Sequence, residues 1–397
     1  GRNTSSNPLE TVRRFKVFAT TFWGLEDVAA SEVSALLGTE AEADVAKVFV
    51  ECDEEKLAEL VFSARGLNRV FLQLVRMRFE GLEEIERAVK EVDFAELMGR
   101  DQSFGVEAER YGDHPFTSVD VASAVGRAVI ESCLASEGWR PRVDLKSPDV
   151  QLYALVRDDE FLLGINLTGP SLHKRFYRVA DVRSTLPPTL AFLMVLRSGW
   201  EPSGCLLDPF CGSGTIPIEA ALYAMSVPPN AYRPREQMPV FRLRFLDQHV
   251  IERVLERLRS SERRWLRPCV YGTDVSPRAL EAARRNVASA GLEDVVRIEK
   301  ADALNLEKWK GIGELPETVH VVTDPPFGIR MGLSDPYGFY SKAFSSIRRA
   351  IRNPKLVAIF SKQVVARRAL EDSGWTITGL RKVKYGHLET VLISAEA

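Results

Sequence analysis

The sequence predicts an α/β protein whose C-terminal half is a doubly wound, mostly parallel sheet, preceded by smaller α+β units. Three observations carry this. From about residue 189 onward, short apolar runs alternate with helical segments, the pattern that builds βαβ units. One such run, Cys205 to Leu207, leads through Asp208-Pro-Phe-Cys-Gly-Ser-Gly-Thr215 into a helix; its two glycines permit positive φ and close backbone approach to a ligand. Another, Val319 to Val322, ends in Thr323-Asp-Pro-Pro-Phe-Gly328, where consecutive prolines can continue neither a strand ladder nor a helix and so stiffen the turn.

Taken in order, Gly1 to Arg14 is a polar tail, and Phe15 to Thr20 alternates as a strand. A helix opens near Gly24 and runs to about Leu37, with Leu25, Val28, Ala29, Val33, Leu36 and Leu37 near helical spacing. Lys47 to Cys52 reads as a strand, Glu54 to Arg65 as a helix and Arg69 to Phe79 as a strand. Leu82 to Leu97 is expected to be helical, Ser103 to Arg110 a strand, Ser118 to Ser136 an amphipathic helix, and Arg142 to Leu145, Val150 to Arg157 and Phe161 to Thr168 strands. Arg183 to Pro188 is a proline-bounded joint before the helix Thr189 to Leu196. Strands at 205–207, 269–273, 295–299, 319–323 and 355–360 then alternate with helices at 215–225, 277–289, 338–351 and 363–373, and strands near 376–383 and 388–394 close the chain. In such a sheet the ligand sits at the carboxyl ends of the strands. Between the first of these helices and the second strand lies an arginine-rich detour, Pro228 to Pro268, with a helix expected over Val250 to Trp265.

A chain of 397 residues exceeds one ordinary core, so two or three domains are expected. Its 45% hydrophobic and 27% charged residues are those of a globular protein. The longest apolar run, Leu190 to Leu196, is too short to span a bilayer, and Gly1 to Arg14 has no apolar signal core; the expectation is a cytoplasmic protein without a membrane partner. Cys52, Cys133, Cys205, Cys211 and Cys269 are scattered with no metal-ligand spacing, so all are expected reduced and no metal is expected. A net charge of -2 argues against generalised binding to polyanions, but Lys174, Arg175, Arg178 and Arg183 face a single acid, Asp181, between Leu172 and Arg183.

The chemistry is read from the acids. Asp208 at a strand end would repel the second negative group of a dinucleotide and would welcome an amine, while the helix N-terminus beyond it suits a carboxylate. S-adenosylmethionine carries an ammonium, a carboxylate and a sulfonium, and matches better than NAD. Asp324 and a proline carbonyl are placed to accept from an exocyclic amine, with Phe327 as a flat surface for a base. Hydrogen bonds to both N–H protons would turn the delocalised lone pair of that amine toward an incoming methyl group. Asp274, ending the second strand, can accept from ribose hydroxyls or cap the helix beginning at Pro277. Cys211 invites covalent catalysis, but attack by an exocyclic nitrogen needs no thiol adduct.

These residues carry a resemblance. Asp208 to Thr215 is similar to the first motif of class I S-adenosylmethionine-dependent methyltransferases, and Asp324 to Phe327 resembles the (Asp/Asn)-Pro-Pro-(Tyr/Phe) motif of their amino-methylating branch. The longer strings Asp208 to Ala221 and Leu172-His-Lys-Arg-Phe-Tyr-Arg178 resemble the THUMP-domain RNA guanine-N2 methyltransferases, whose pattern has Gly where this chain has Phe176. The resemblance covers most of the chain. It implies a tail (1–14), a ferredoxin-like domain (15–80), a THUMP domain (81–178) and a Rossmann-like methyltransferase domain (179–397), closed by an antiparallel hairpin and carrying an insertion at about 228–268. It implies a cofactor site of Ser184, Thr185, Leu186, Asp208, Phe210, Gly212, Ser213, Gly214, Thr215, Asp274, Asp302, Ala303 and Asp324, with Asp302 toward the adenine amine. The catalytic set is Asp324, Pro325, Pro326 and Phe327, and RNA is to be met by His173, Lys174, Arg175 and Arg178, with the insertion either helping to hold RNA or forming an ion-paired surface helix. The expected partner is tRNA at acceptor-stem position 6, with large-subunit rRNA, DNA adenine and a non-catalytic RNA-binding role as alternatives. No obligatory protein partner is evident.

Overall fold

The computed structural model describes residues 12–182, 186–326 and 334–397. The N-terminal half runs β1 (Arg14–Thr20), α1 (Glu26–Leu37), β2 (Glu42–Asp44), β3 (Lys47–Asp53), α2 (Glu54–Ser63), β4 (Arg69–Arg78), α3 (Leu82–Lys90), α4 (Phe94–Leu97), β5 (Ser103–Tyr111), α5 (Ser118–Glu137), β6 (Arg142–Val143), β7 (Val150–Arg157) and β8 (Glu160–Asn166). The helix expected over Leu82 to Leu97 is two pieces, because Asp93 leaves helical geometry (φ -81, ψ 82) just before α4. The tail is shorter than expected: Arg14 already pairs with Asp53 in β1, and Arg13 donates to the Phe245 carbonyl.

All eight strands form one sheet, in the order β2-β3-β1-β4-β8-β7-β5-β6. Its continuity rests on β4, which pairs with β1 on one edge and with β8 on the other, from Phe71 opposite Asn166 to Arg78 opposite Glu160. The two α+β units read from the sequence therefore share a sheet and differ only in their helices. On the face away from the helices, Phe18, Phe71 and Tyr153 stack in a row, with ring centroids 5.0 and 4.6 Å apart.

The C-terminal half runs α6 (Pro188–Ser198), β9 (Cys205–Asp208), α7 (Thr215–Ala224), α8 (Gln248–Ser260), β10 (Cys269–Asp274), α9 (Pro277–Ser289), β11 (Val296–Lys300), β12 (Thr318–Thr323), α10 (Pro336–Ala350), β13 (Asn353–Phe360), α11 (Gln363–Asp372), β14 (Thr376–Tyr385) and β15 (Leu388–Glu396). The sheet order is β11-β10-β9-β12-β13-β15-β14, parallel as far as β13 and antiparallel through β15 and β14. The strand order reverses between β9 and β12, where a doubly wound sheet opens its crevice. Among the described residues no helix is long and apolar enough to cross a membrane.

One expectation fails here. Cys205 and Cys269 stand opposite each other in the register of β9 and β10 and form a disulfide, so only Cys52, Cys133 and Cys211 are free thiols. The insertion straps the two halves together, and its helix α8 is ion-paired at the surface, as one of its two readings had it. Asn230, fully buried, donates to the carbonyls of Val61 and Ala64, the Val240 N–H donates to Leu167, and Phe62 packs on Phe241. Arg257 on α8 faces Glu55 and Glu59 on α2, and Arg244 forks onto Asp101. Gly169 must be glycine at this contact: its φ is +72, and a Cβ would lie 1.9 Å from the Gln237 carbonyl oxygen.

Candidate active site

Parallel register brings the two sequence motifs together. Leu207 pairs with Val321, so Asp208 and Asp324 leave neighbouring strands at the same end of the sheet. Asp208 Oδ1 accepts hydrogen bonds from Thr323 Oγ1 at 2.6 Å and from the Phe210 N–H at 3.0 Å. Burial outweighs those bonds and, with the charge of Asp274, lifts the Asp208 carboxyl to about 7. Asp324 keeps some of its residue surface open, yet its Oδ1 is sealed from water and accepts no hydrogen bond from the described residues. Burial, then the neighbouring Asp208, raises the Asp324 carboxyl well above the usual range. Two enclosed carboxylates without a cation between them make a site that favours a positively charged or N–H-bearing ligand.

The loop between β9 and α7 supplies the opposite polarity. Gly212 and Gly214 both take positive φ (52° and 85°), and α7 starts at Thr215 with no side chain capping its first turn, leaving its leading N–H groups for an anion. Asp274 braces the loop: Oδ2 accepts from the Gly212 N–H at 3.0 Å and Oδ1 from the Ser276 N–H at 2.9 Å, so it serves the local structure while each oxygen keeps a lone pair. The Ser213 carbonyl is held by Asn286 of α9, whose amide also binds Val179 and Ala180. Neither Asn286 nor Thr323 carried a signal in the sequence.

Of the remaining expected contacts, Leu186 and Ala303 are buried beside the site, and Phe210 tilts against Phe339 with ring centroids 5.8 Å apart. Asp302 is exposed and caps its own short helical turn through the Leu304 N–H. The Pro326 carbonyl accepts from the Tyr340 hydroxyl at 2.9 Å, which fixes the proline turn against α10; Tyr340 was not read as a site residue. Cys211 is buried, and burial together with Asp208 and Asp274 pushes its thiol far up, so it is no thiolate. Ser184, Thr185 and Phe327 lie outside the described residues.

Two of the four expected RNA contacts are corrected. Arg175 is fully enclosed: its Nη2 lies 2.7 Å from Glu219 Oε1 on α7 and also donates to the Arg65 carbonyl, and Tyr177 donates to the other Glu219 oxygen. It ties the N-terminal half to the helix that follows the glycine loop and cannot reach phosphate. Arg178 turns inward, donating to Thr215 Oγ1 at 2.6 Å and to the Leu186 carbonyl, and its Nε is buried without a partner among the described residues. A guanidinium held at a helix N-terminus with a donor to spare calls for an anion there. Lys174 is exposed, and His173 is half-buried against the Ser171 hydroxyl.

These groups fit S-adenosylmethionine. Asp208 and Asp324 would face its positive groups, the α7 N-terminus and Arg178 its carboxylate, and Asp274 its ribose. An open sheet of this strand order, with acids ending β9, β10 and β12 around a glycine turn, defines a class I S-adenosylmethionine-dependent methyltransferase. Residues 175–391 match the RMKL-like methyltransferase domain, 79–166 the THUMP domain and 16–71 the RlmL ferredoxin-like domain, and the chain belongs to the RMKL-like methyltransferase family. It is 33% identical over 401 residues to the tRNA (guanine(6)-N2)-methyltransferase of Archaeoglobus fulgidus, covering 99% of this chain and 94% of that protein. Against the ribosomal RNA large subunit methyltransferase K/L of Pseudomonas entomophila the identity is 29%, over 80% of this chain and 44% of that one. The crystal structure of a possible methylase from Clostridium difficile 630 shares the fold with a TM-score of 0.85, at 22% identity, covering 96% of this chain and 98% of that one.

Proposed function

We propose that this chain methylates the exocyclic N2 amine of a guanine in tRNA, at position 6 of the acceptor stem. The observation that carries this reading is the pair of enclosed carboxylates at the ends of β9 and β12, one with an oxygen that accepts nothing from the described residues, followed by a proline turn. Bound S-adenosylmethionine supplies an electrophilic methyl group. Asp324 accepts a hydrogen bond from the amine, and Pro325 supplies the second acceptor, since the Pro326 carbonyl is engaged by Tyr340. As the new N–C bond forms, the amine becomes acidic, and the raised Asp324 carboxyl is suited to take its proton. The base must leave its stack to reach this depth, at a cost of a few kcal/mol, offset by hydrogen bonds in the pocket.

Transfer of RNA from a relative's name is supported by the alignment, which spans nearly the whole of the tRNA enzyme but less than half of the rRNA enzyme. The test is mass analysis of nucleosides from separate tRNA, rRNA and duplex DNA pools incubated with protein and labelled cofactor. N2-methylguanosine in tRNA alone is expected; label only in rRNA, or in adenine, would overturn the proposal.

A further inference from the structure

Two of the cations that the sequence offered for RNA are consumed inside the protein, Arg175 by Glu219 and Arg178 by the cofactor loop, which leaves Lys174 exposed. The crevice itself is acidic, with Asp208, Asp274 and Asp324 at three strand ends. A polyanion can approach such a mouth only if its phosphates are held on cations at the flanks.

The free edge of the catalytic sheet carries such cations. Beside β11 a groove of about 550 Å³ is lined by Arg284 of α9, Lys300, Lys308 and Lys310, against Glu299 and Asp302. All four basic side chains are exposed, and none makes an ion pair among the described residues, whereas Arg127, Arg244, Arg297 and Arg352 elsewhere on the surface are each paired with an acid. Between Lys308 and Lys310, Trp309 is buried edge-on against Tyr271 with ring centroids 5.4 Å apart, so it pegs the two lysines to the rim. Of the two acids, Asp302 is turned to its own turn's Leu304 N–H. Lys300 stands opposite Asp274 in the β10–β11 register, level with the glycine loop. From the end of β12, where Asp324 sits, β11 is three strand spacings away, about 14 Å, the span of a short stretch of RNA backbone.

We propose that the groove along β11 seats backbone phosphates of the RNA next to the target nucleotide. The proposal deepens the RNA reading above and rests on it. Lys308 and Lys310 are point-charge contacts that fix register without reading sequence.

The experiment compares the full-length wild type with a Lys308→Ala/Lys310→Ala variant, using unfractionated tRNA over a series of salt concentrations and, separately, S-adenosylhomocysteine by calorimetry. The expected result is about a tenfold rise in Kd for tRNA and a loss of about one unit of salt slope per lysine, with kcat at saturating tRNA and the S-adenosylhomocysteine affinity unchanged. Arg352→Ala, at the opposite end of the sheet, should alter none of these. Unchanged tRNA affinity and salt slope in a variant that still methylates tRNA would overturn the proposal alone, as would a change confined to S-adenosylhomocysteine binding. Failure of the wild type to bind or methylate tRNA would overturn it together with the reading it rests on, and the wild-type arm tells the two failures apart.

Discussion

Two buried charge clusters flank the start of α7, one around Glu219 in its middle and one around Asp208 ahead of its first turn, and they are built on opposite rules. Around Glu219 the central ion pair is answered: Arg175 and Tyr177 donate to its carboxylate, and the rest of the Arg175 guanidinium is spent on the carbonyls of Leu172 and Arg65 and on Asn230. Around Asp208 the balance is left open: a second acid stands beside it, and among the described residues one Asp324 oxygen has no donor and Arg178 Nε has no acceptor. The first cluster holds the protein's two halves in place; the second is completed only by a ligand. Burial alone does not separate a structural charge from a functional one; two like charges side by side at the strand ends do.

The contrast can be broken experimentally. Removing one partner of the answered cluster should cost most: Arg175→Met is expected to lower unfolding stability by about 4 kcal/mol in denaturant titration, with much of it restored by adding Glu219→Met, because an apolar pair tolerates burial better than a lone carboxylate. At the open cluster the loss should appear in rate instead. Asp324→Ala should reduce kcat by roughly 10²–10³-fold in a methyl-transfer assay while tRNA affinity and melting temperature stay near wild type.

The open cluster also makes stability depend on pH. With the folded Asp208 carboxyl at about 7 and its ordinary value at 3.8, the folded state holds a proton that the unfolded chain has lost, so stability falls as pH rises between those values and levels off above. The ligand-free protein should therefore melt several degrees lower at pH 8 than at pH 5, and saturating S-adenosylmethionine should reduce the difference. A slope that persists unchanged in Asp208→Asn would assign it to other groups. Smallest of all, Arg178→Lys should weaken cofactor binding by about tenfold, since a point charge loses the planar fork; unchanged affinity would remove Arg178 from the carboxylate site.

What the sequence disclosed was local. Asp208 to Thr215 and Asp324 to Pro326 state their geometry within a few residues, through glycine freedom, proline stiffness and acids at strand ends, and the alternation of strands and helices predicts the catalytic sheet. What it withheld depends on partners far along the chain. Arg175 and Arg178 read as a basic stripe because Glu219 and Thr215, which claim them, lie about forty residues away. Cys205 and Cys269, 64 residues apart, meet only once strand register is set. The pairing of β4 with β8 likewise lies outside any local pattern, so the two units were legible but not the sheet they share.

That shared sheet has a mechanical consequence. A hydrogen-bonded ladder admits no pivot between its strands, so the N-terminal half is a fixed-length arm, fastened to the catalytic half by the Arg175 joint and the Pro228–Pro268 strap.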